Sequence, residues 1–468
     1  MRKILALLLA ITLSVTLFAA CGGNTDTPSS GTPADSSGDT AQNDTQEEAP
    51  PPAASSGVTI RMAHHAAPGA SEEADTLINN LNAIGEEMGF TIVHEGAPGD
   101  ELRNKIRMDA AANNLPDLWK FWLGGVMADY VKAGNLQDID DYLALSKKVS
   151  IDDYLPGAWI GATFEGIKYG IPFQQGIGIF MANSELFEQY GLDYPTTWDE
   201  FIAVGQVFRD NGIAPTNIGS MGGNPSHFFY GDIVCQYNDG PALSQNLADH
   251  LEFNNPVFRK AAHWIQDLRD NGMFPDDVMA NGDWTPSTVM YLEGRAAMCY
   301  TFGWMFELFM TDAPEMIDKS VIIPIPPVPD AQRDTRTFIQ GTENDSYVIN
   351  SASWADSAKT DFIVAMMDYL NYDHEIIAMQ NGWRVAVNQN VLRQIDLSTI
   401  SNRLLAKVLE YRIANSVEGS PMIWQNCPDN KTQFDYQAFM DEFWAGAIDA
   451  DEYVDKVQDS FDEFKESQ

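Results

Sequence analysis

Several side chains in this sequence stand where a strand or a loop gives out, and their types suit the holding of a ligand. His65 follows the first expected strand, Trp122 ends the third, and Trp304 lies just past a strand at 296–300. Asp283 and Trp284 occupy a loop ahead of a helix whose start is marked by Pro286 and Ser287. Ligands of open α/β sheets bind outside the carboxyl ends of the strands, which makes these positions candidates for a cleft. An indole offers a flat apolar plate at a low cost in side-chain entropy, while an imidazole or carboxylate can orient hydroxyls. Motifs for bond-breaking chemistry do not appear: there is no G-x-S-x-G and no H-E-x-x-H. The glycine-rich run Gly219-Ser220-Met221-Gly222-Gly223-Asn224-Pro225 lacks the lysine of a phosphate-binding Walker loop. His227, Phe228, Phe229 and Tyr230 open an aromatic helix and are expected in the core.

The elements that must position these groups alternate. Strands are expected at 58–63, 90–94 and 117–122, with helices at 71–88 and from residue 99 to about 113 between them. Such alternation implies parallel βαβ units and an α/β class. In the third strand, alternation sends Trp119 and Phe121 to the core and leaves Trp122 at the rim. The second half is richer in helix, expected at 198–211, 255–271, 287–298, 360–372, 398–413, 436–445 and 450–464. Thr197 is placed to cap the first of these, with Glu200 as its capping-box partner.

Composition narrows the function further. The 468 residues include 67 acidic and 28 basic side chains, a formal net charge of −39, which disfavours nucleic-acid binding because phosphate contacts need clustered Lys and Arg. The start, Met1-Arg2-Lys3 followed by an apolar run to Ala20, reads as a signal peptide over 1–20. Ala19-Ala20-Cys21 resembles a bacterial lipobox, with Phe18 where leucine is usual, and Cys21 is the expected lipidation site. Residues 22–57 carry no Lys, Arg or aromatic residue and read as a disordered acidic tether. Cys235, Cys299 and Cys427 have no metal-ligand spacing, and neither a metal nor a cofactor is expected.

Five segments carry a family resemblance. The first runs from Tyr169-Gly170-Ile171-Pro172-Phe173 through Ile179-Phe180-Met181-Ala182-Asn183-Ser184-Glu185-Leu186-Phe187 to Pro195-Thr196-Thr197-Trp198-Asp199-Glu200-Phe201. The second is Tyr291-Leu292-Glu293-Gly294-Arg295-Ala296-Ala297-Met298 with Gly303-Trp304. The third is Pro116-Asp117-Leu118-Trp119-Lys120-Phe121-Trp122 with Gly134-Asn135-Leu136, the fourth Gly341-Thr342-Glu343-Asn344-Asp345-Ser346, and the fifth Gln380-Asn381-Gly382-Trp383-Arg384. Together they resemble the family 1 extracellular solute-binding proteins, the group that includes maltose-binding protein. The fifth segment lacks the proline usual in that family.

The resemblance implies a type II periplasmic-binding-protein-like fold: two α/β lobes, three hinge crossings and a ligand cleft between the lobes. Lobe one would take 58–173 plus 340–383, and lobe two 174–339 plus 384–468, after the tether at 21–57. It also brings in Gln175 at the first hinge and Glu343 and Trp383 from the fourth and fifth segments. The expected cleft set is therefore His65, Trp122, Gln175, Asp283, Trp284, Trp304, Glu343 and Trp383, with no catalytic residue. The implied function is that of a monomeric lipoprotein on the outer face of the cell membrane. It would capture a sugar or oligosaccharide and deliver it to the permease subunits of an ABC importer, meeting the membrane only through its lipid. The alternatives are a receptor for a polyamine, peptide or glycerol-phosphate compound, a surface sensor, and a secreted glycoside hydrolase using two carboxylates.

Overall fold

A computed structural model describes residues 57–468, Thr342 excepted, and leaves the side chains of Asp100, Pro156, Glu343 and Asn344 undescribed. The expected signal peptide, Cys21 and nearly all of the tether lie outside the described residues. The body is built on two main sheets. The first has six strands in the order Val385–Ala386, Ile171–Gln175, Glu343–Ile349, Leu118–Trp122, Thr59–His64, Thr91–Gly96. Thr59–His64 runs parallel to both of its neighbours, as the βαβ reading requires. Glu343–Ile349 enters antiparallel between Leu118–Trp122 and Ile171–Gln175. The helix Glu72–Met88 starts where Ser71 Oγ accepts the Ala74 N–H at 3.1 Å, and it stops at Gly89, whose φ of 79° closes the last turn. Its buried stripe of Ala74, Leu77, Leu81 and Gly85 faces a core shared with Ile60, Met62, Leu118, Trp119, Phe121 and Val348.

The second sheet has four strands in the order Ser320–Ile322, Gly178–Asn183, Ala296–Phe302, Ala214–Thr216. Gly178–Asn183 is buried on both faces, and the period of two divides its side chains. Phe180 and Ala182 enter an aromatic-rich core with Phe201, Phe229, Tyr300 and Tyr453, while Ile179 and Met181 enter a separate core with Phe306, Phe309 and Leu404. Burial on both faces is the reason this strand reads as a continuous apolar run. The helix Trp198–Asp210 carries the expected capping box: Thr197 Oγ1 accepts from Glu200 N at 3.3 Å, and Glu200 Oε2 accepts from Thr197 N at 3.2 Å.

Between the sheets the chain passes through residues 176–177, just after Ile171–Gln175, and again at Gly341, just after Phe338–Gln340. These crossings touch. Gly341, at φ +146°, lies so close that a Cβ there would meet Gly176 O at 2.2 Å. Val385–Ala386 pairs with Gln175 and Gln174 in the first sheet, while Val391, a few residues on, packs with Ile177 and Ile179. Four helical stretches depart from the sequence expectation. The helix expected at 287–298 ends at Leu292 and gives way to the strand Ala296–Phe302, and the one expected at 398–413 begins at Arg403, where Asn402 caps it. Thr360–Asp368 does not stop near residue 372 but continues through a π-helical turn, Tyr369–Asp373, into His374–Asn381. The C-terminal helix expected at 436–445 starts earlier, at Asn430, because Asp429 and Thr432 form a capping box.

Candidate functional site

A cavity of about 310 Å³ opens between the two cores, at the lower end of the range for small-molecule sites, roughly 300–1,000 Å³. Elements of the first sheet and its helices contribute His65, Glu73, Arg103, Trp122, Gln174, Asp345, Trp383 and Arg384. The other side contributes Asn224, His227, Phe228, Trp284, Trp304, Glu307, Trp424 and Gln437. Five of these are tryptophans. His65 and Trp122 stand at the carboxyl ends of parallel strands, and Trp304 follows the end of Ala296–Phe302. Trp304 is itself held by aromatic contacts. It stacks on Phe302 at 4.6 Å and 25° and meets Trp284 at 5.2 Å and 88°, with Phe228 5.2 Å from Trp284. An indole braced in this way loses little freedom when a ligand lies against it.

The polar groups are arranged as neutralised pairs. Lys120 Nζ lies 3.0 Å from Asp345 Oδ1 and 3.8 Å from the centre of the Trp122 ring, with both charged residues almost fully buried. Burial pushes the Asp345 carboxyl above its ordinary range, and the Lys120 ammonium only partly offsets that rise. Arg384 donates to Glu375 Oε1 from Nη2 at 2.6 Å and from Nε at 3.0 Å, and its Nη1 reaches Glu73. Burial lowers its pKa to about 9, which keeps it cationic at neutral pH. His65 and His227 are driven well below the usual histidine range, first by burial and then by Lys120 and Arg384 for His65 and by Arg103 for His227. Both are therefore neutral. Glu307 differs from the other two cavity carboxylates: among the described residues it forms no ion pair, and burial followed by the nearby Glu72 raises its pKa.

Of the eight residues expected at a cleft, His65, Trp122, Trp284, Trp304 and Trp383 line this cavity. At the first crossing the lining residue is Gln174, whereas Gln175 pairs through its backbone with Glu343 and Val385. Asp283 does not line the cavity; its carboxylate accepts the Trp284 N–H at 2.7 Å and caps Trp284–Leu292. The side chain of Glu343 lies outside the described residues. His227 and Phe228 are buried as expected for core, yet they also form cavity wall, while Phe229 and Tyr230 are core alone. Asp345 escaped the sequence reading because the strand is irregular on either side of it, and a bulge re-aims side chains in a way that alternation does not foresee. Arg384 adjoins Trp383, and a search for the partner of a buried charge could have found it. Trp424 and Gln437 carry no local signal; packing of the C-terminal segment brings them in. Among the described residues no group of His, Cys, Asp and Glu could hold a metal, Cys235, Cys299 and Cys427 are buried free thiols, and no helix is long and apolar enough to cross a membrane.

Two α/β bodies around a cleft, linked by touching crossings, define the two-lobed type II periplasmic-binding-protein fold. Residues 70–371 match the model of the family described as Bacterial extracellular solute-binding protein, and the chain belongs to that family. Among curated relatives, the osmoprotective compounds-binding protein GgtB of Synechocystis is 26% identical over 206 residues. That match takes in 43% of this chain and spans about half of the relative, 48% of its length. Among solved structures, one from work on xylan utilization by the thermophilic bacterium Caldanaerobius polysaccharolyticus superposes with a TM-score of 0.74 at 24% identity, covering 86% of this chain and 99% of the other. A chitin oligosaccharide binding protein gives 0.71 at 17% identity, covering 87% and 98%. At these identities the structural likeness establishes the fold.

Proposed function

We propose that this solute-binding protein captures a sugar or oligosaccharide in its cleft by hinge closure, for delivery to an ABC importer. The observation that carries the reading is the cavity wall: five indoles interleaved with neutral imidazoles, amides and charges that, Glu307 apart, already have partners. A sugar presents apolar C–H faces to aromatic plates and hydroxyls to hydrogen-bonding edges. Burying a hydroxyl without a partner costs about 1–3 kcal/mol, so Asn224, Gln174, Gln437 and the imidazoles would set selectivity. The solved neighbours named for chitin oligosaccharide and for xylan utilization support the same ligand class. Cys21, preceded by an apolar leader, would carry the lipid that holds the receptor at the outer face of the membrane, with residues 22–57 as tether. The protein would act as a monomer.

The alternatives are less well matched. A polyamine needs several unpaired carboxylates, yet of the three in the cavity wall Glu73 and Asp345 are bound to Arg384 and Lys120, which leaves only Glu307 to meet a cation. The same pairing works against a two-carboxylate hydrolase, whose general acid and nucleophile must be free to exchange protons and bonds with substrate. A thermal-shift screen against maltotriose, xylotriose, chitotriose, spermidine and glycerol 3-phosphate tests the reading. Concentration-dependent stabilisation by an oligosaccharide is expected. Stabilisation by spermidine or glycerol 3-phosphate alone would replace the carbohydrate reading, and release of reducing sugar would replace the receptor reading.

A further inference from the structure

On one side of the cavity the two lobes meet backbone to backbone. Gly124, at φ +90°, leaves so little room that a Cβ would lie 1.9 Å from Gln425 O. At Gly125 a Cβ would lie 1.8 Å from Cys427 O and 2.9 Å from its carbon. The two sides belong to different cores: Val126, Met127 and Tyr130 pack in the first, and Met422, Ile423, Trp424 and Cys427 in the second. Polar contacts extend the seam beyond the glycines. Asn430 Nδ2 donates to Val126 O at 3.3 Å and to Asp129 Oδ2 at 3.0 Å. The Arg103 guanidinium donates to Gln433 Oε1 at 3.0 Å and lies 4.3 Å from the centre of the Phe434 ring. None of these residues belongs to the chain crossings at 176–177 and Gly341.

The seam directly adjoins the ligand wall. Trp122 lies two residues before Gly124, and Trp424 immediately precedes Gln425; both line the cavity, and Trp122 packs against both cores. We infer that Gly124 and Gly125 are positioning residues for closure. They let the first lobe seat on the backbone at 425–427, and that seating fixes the spacing of Trp122 and Trp424 across the ligand. The inference rests on the hinge-closure reading above and adds to it where the closed state is registered. Side-chain contacts can adjust by changing rotamer, but two backbones cannot. A methyl group at residue 125 would need the contact to widen from 1.8 Å to about 3 Å, near the shortest approach that real Cβ atoms make, and the cleft would then close short of its seat.

The experiment compares the parent with Gly125→Ala and with Gly157→Ala, a control whose added Cβ meets nothing within 4 Å. The probe is whichever of maltotriose, xylotriose and chitotriose stabilises the parent most. Ligand-free Gly125→Ala is expected to melt with the control. Its complex should dissociate at least tenfold faster at an unchanged association rate, and its loaded radius of gyration should stay between the parent's empty and loaded values. Parent-like affinity and closure in Gly125→Ala would overturn the inference. So would failure to fold or a large loss of ligand-free stability, because the seam would then be a permanent part of the fold. If the parent itself binds none of the three sugars, the carbohydrate reading fails; if it binds without closing, hinge closure fails whatever the variant does.

Discussion

Trp304 bears most directly on the ligand reading, because it follows a strand end, lines the cavity and is braced by Phe302 and Trp284. Buried aromatic anchors dominate binding energetics, with truncation costing about 2 kcal/mol or more. Trp304→Ala is therefore expected to weaken oligosaccharide binding by roughly 30-fold or more while leaving the ligand-free melting temperature within a few degrees of the parent. Titration calorimetry on the ligand found in the screen checks this, and unchanged affinity would move the site elsewhere. At this scale the sequence was informative about residue types that end strands and much less so about charge. Lys120 sits inside an aromatic strand, and only the antiparallel entry of Glu343–Ile349 shows that Asp345 neutralises it. Separation along the chain hides such pairs.

Among the elements, the helix Ser226–Val234 links the cavity to a crossing. Its first turn supplies His227 and Phe228 to the wall, and farther along Asp232 accepts the Gln340 N–H at 2.7 Å and the Tyr300 hydroxyl at 2.6 Å. Burial raises the Asp232 pKa to about 8, and these hydrogen bonds only partly offset it. The folded state thus holds a proton that the unfolded chain, with an ordinary carboxyl, has released. A raised folded pKa contributes stability in full below the unfolded value, and that contribution is lost as pH rises towards about 8. Relative to Asp232→Asn, the parent should lose melting temperature between pH 5 and pH 8, at a slope of about 1.4 kcal/mol per pH unit for one proton, and level off above. A constant difference across that range would mean that Asp232 is ionised throughout. The first three strands and the helices at 71–88, 198–211, 255–271 and 450–464 were legible to within a few residues, through period, caps and glycine stops, while many short elements carried no readable signal. Two departures among the longer helices have physical causes: a π-helical turn carries the chain past residue 372, and a cap at Asp429 lies well ahead of the apolar period that marks the rest of its helix.

For the whole molecule, the proposed capture by hinge closure would turn on the touching crossings at Gly176 and Gly341 between the two main sheets. Small-angle scattering on the parent should give a smaller radius of gyration with saturating oligosaccharide than without, and identical profiles would remove closure from the mechanism. The α/β class, the indoles at strand ends and the capped helices all depend on neighbours in the chain, and local pattern suffices to read them, as composition does for the net charge of −39. The pairing of Lys120 with Asp345, the clamp of Glu73 and Glu375 on Arg384, the arrival of Trp424 and the backbone seam at Gly124 and Gly125 join residues far apart in sequence. Those were settled by three-dimensional packing alone, because distant segments meet only once the cores on either side have formed, and no periodicity along the chain records which backbone will come to rest against which.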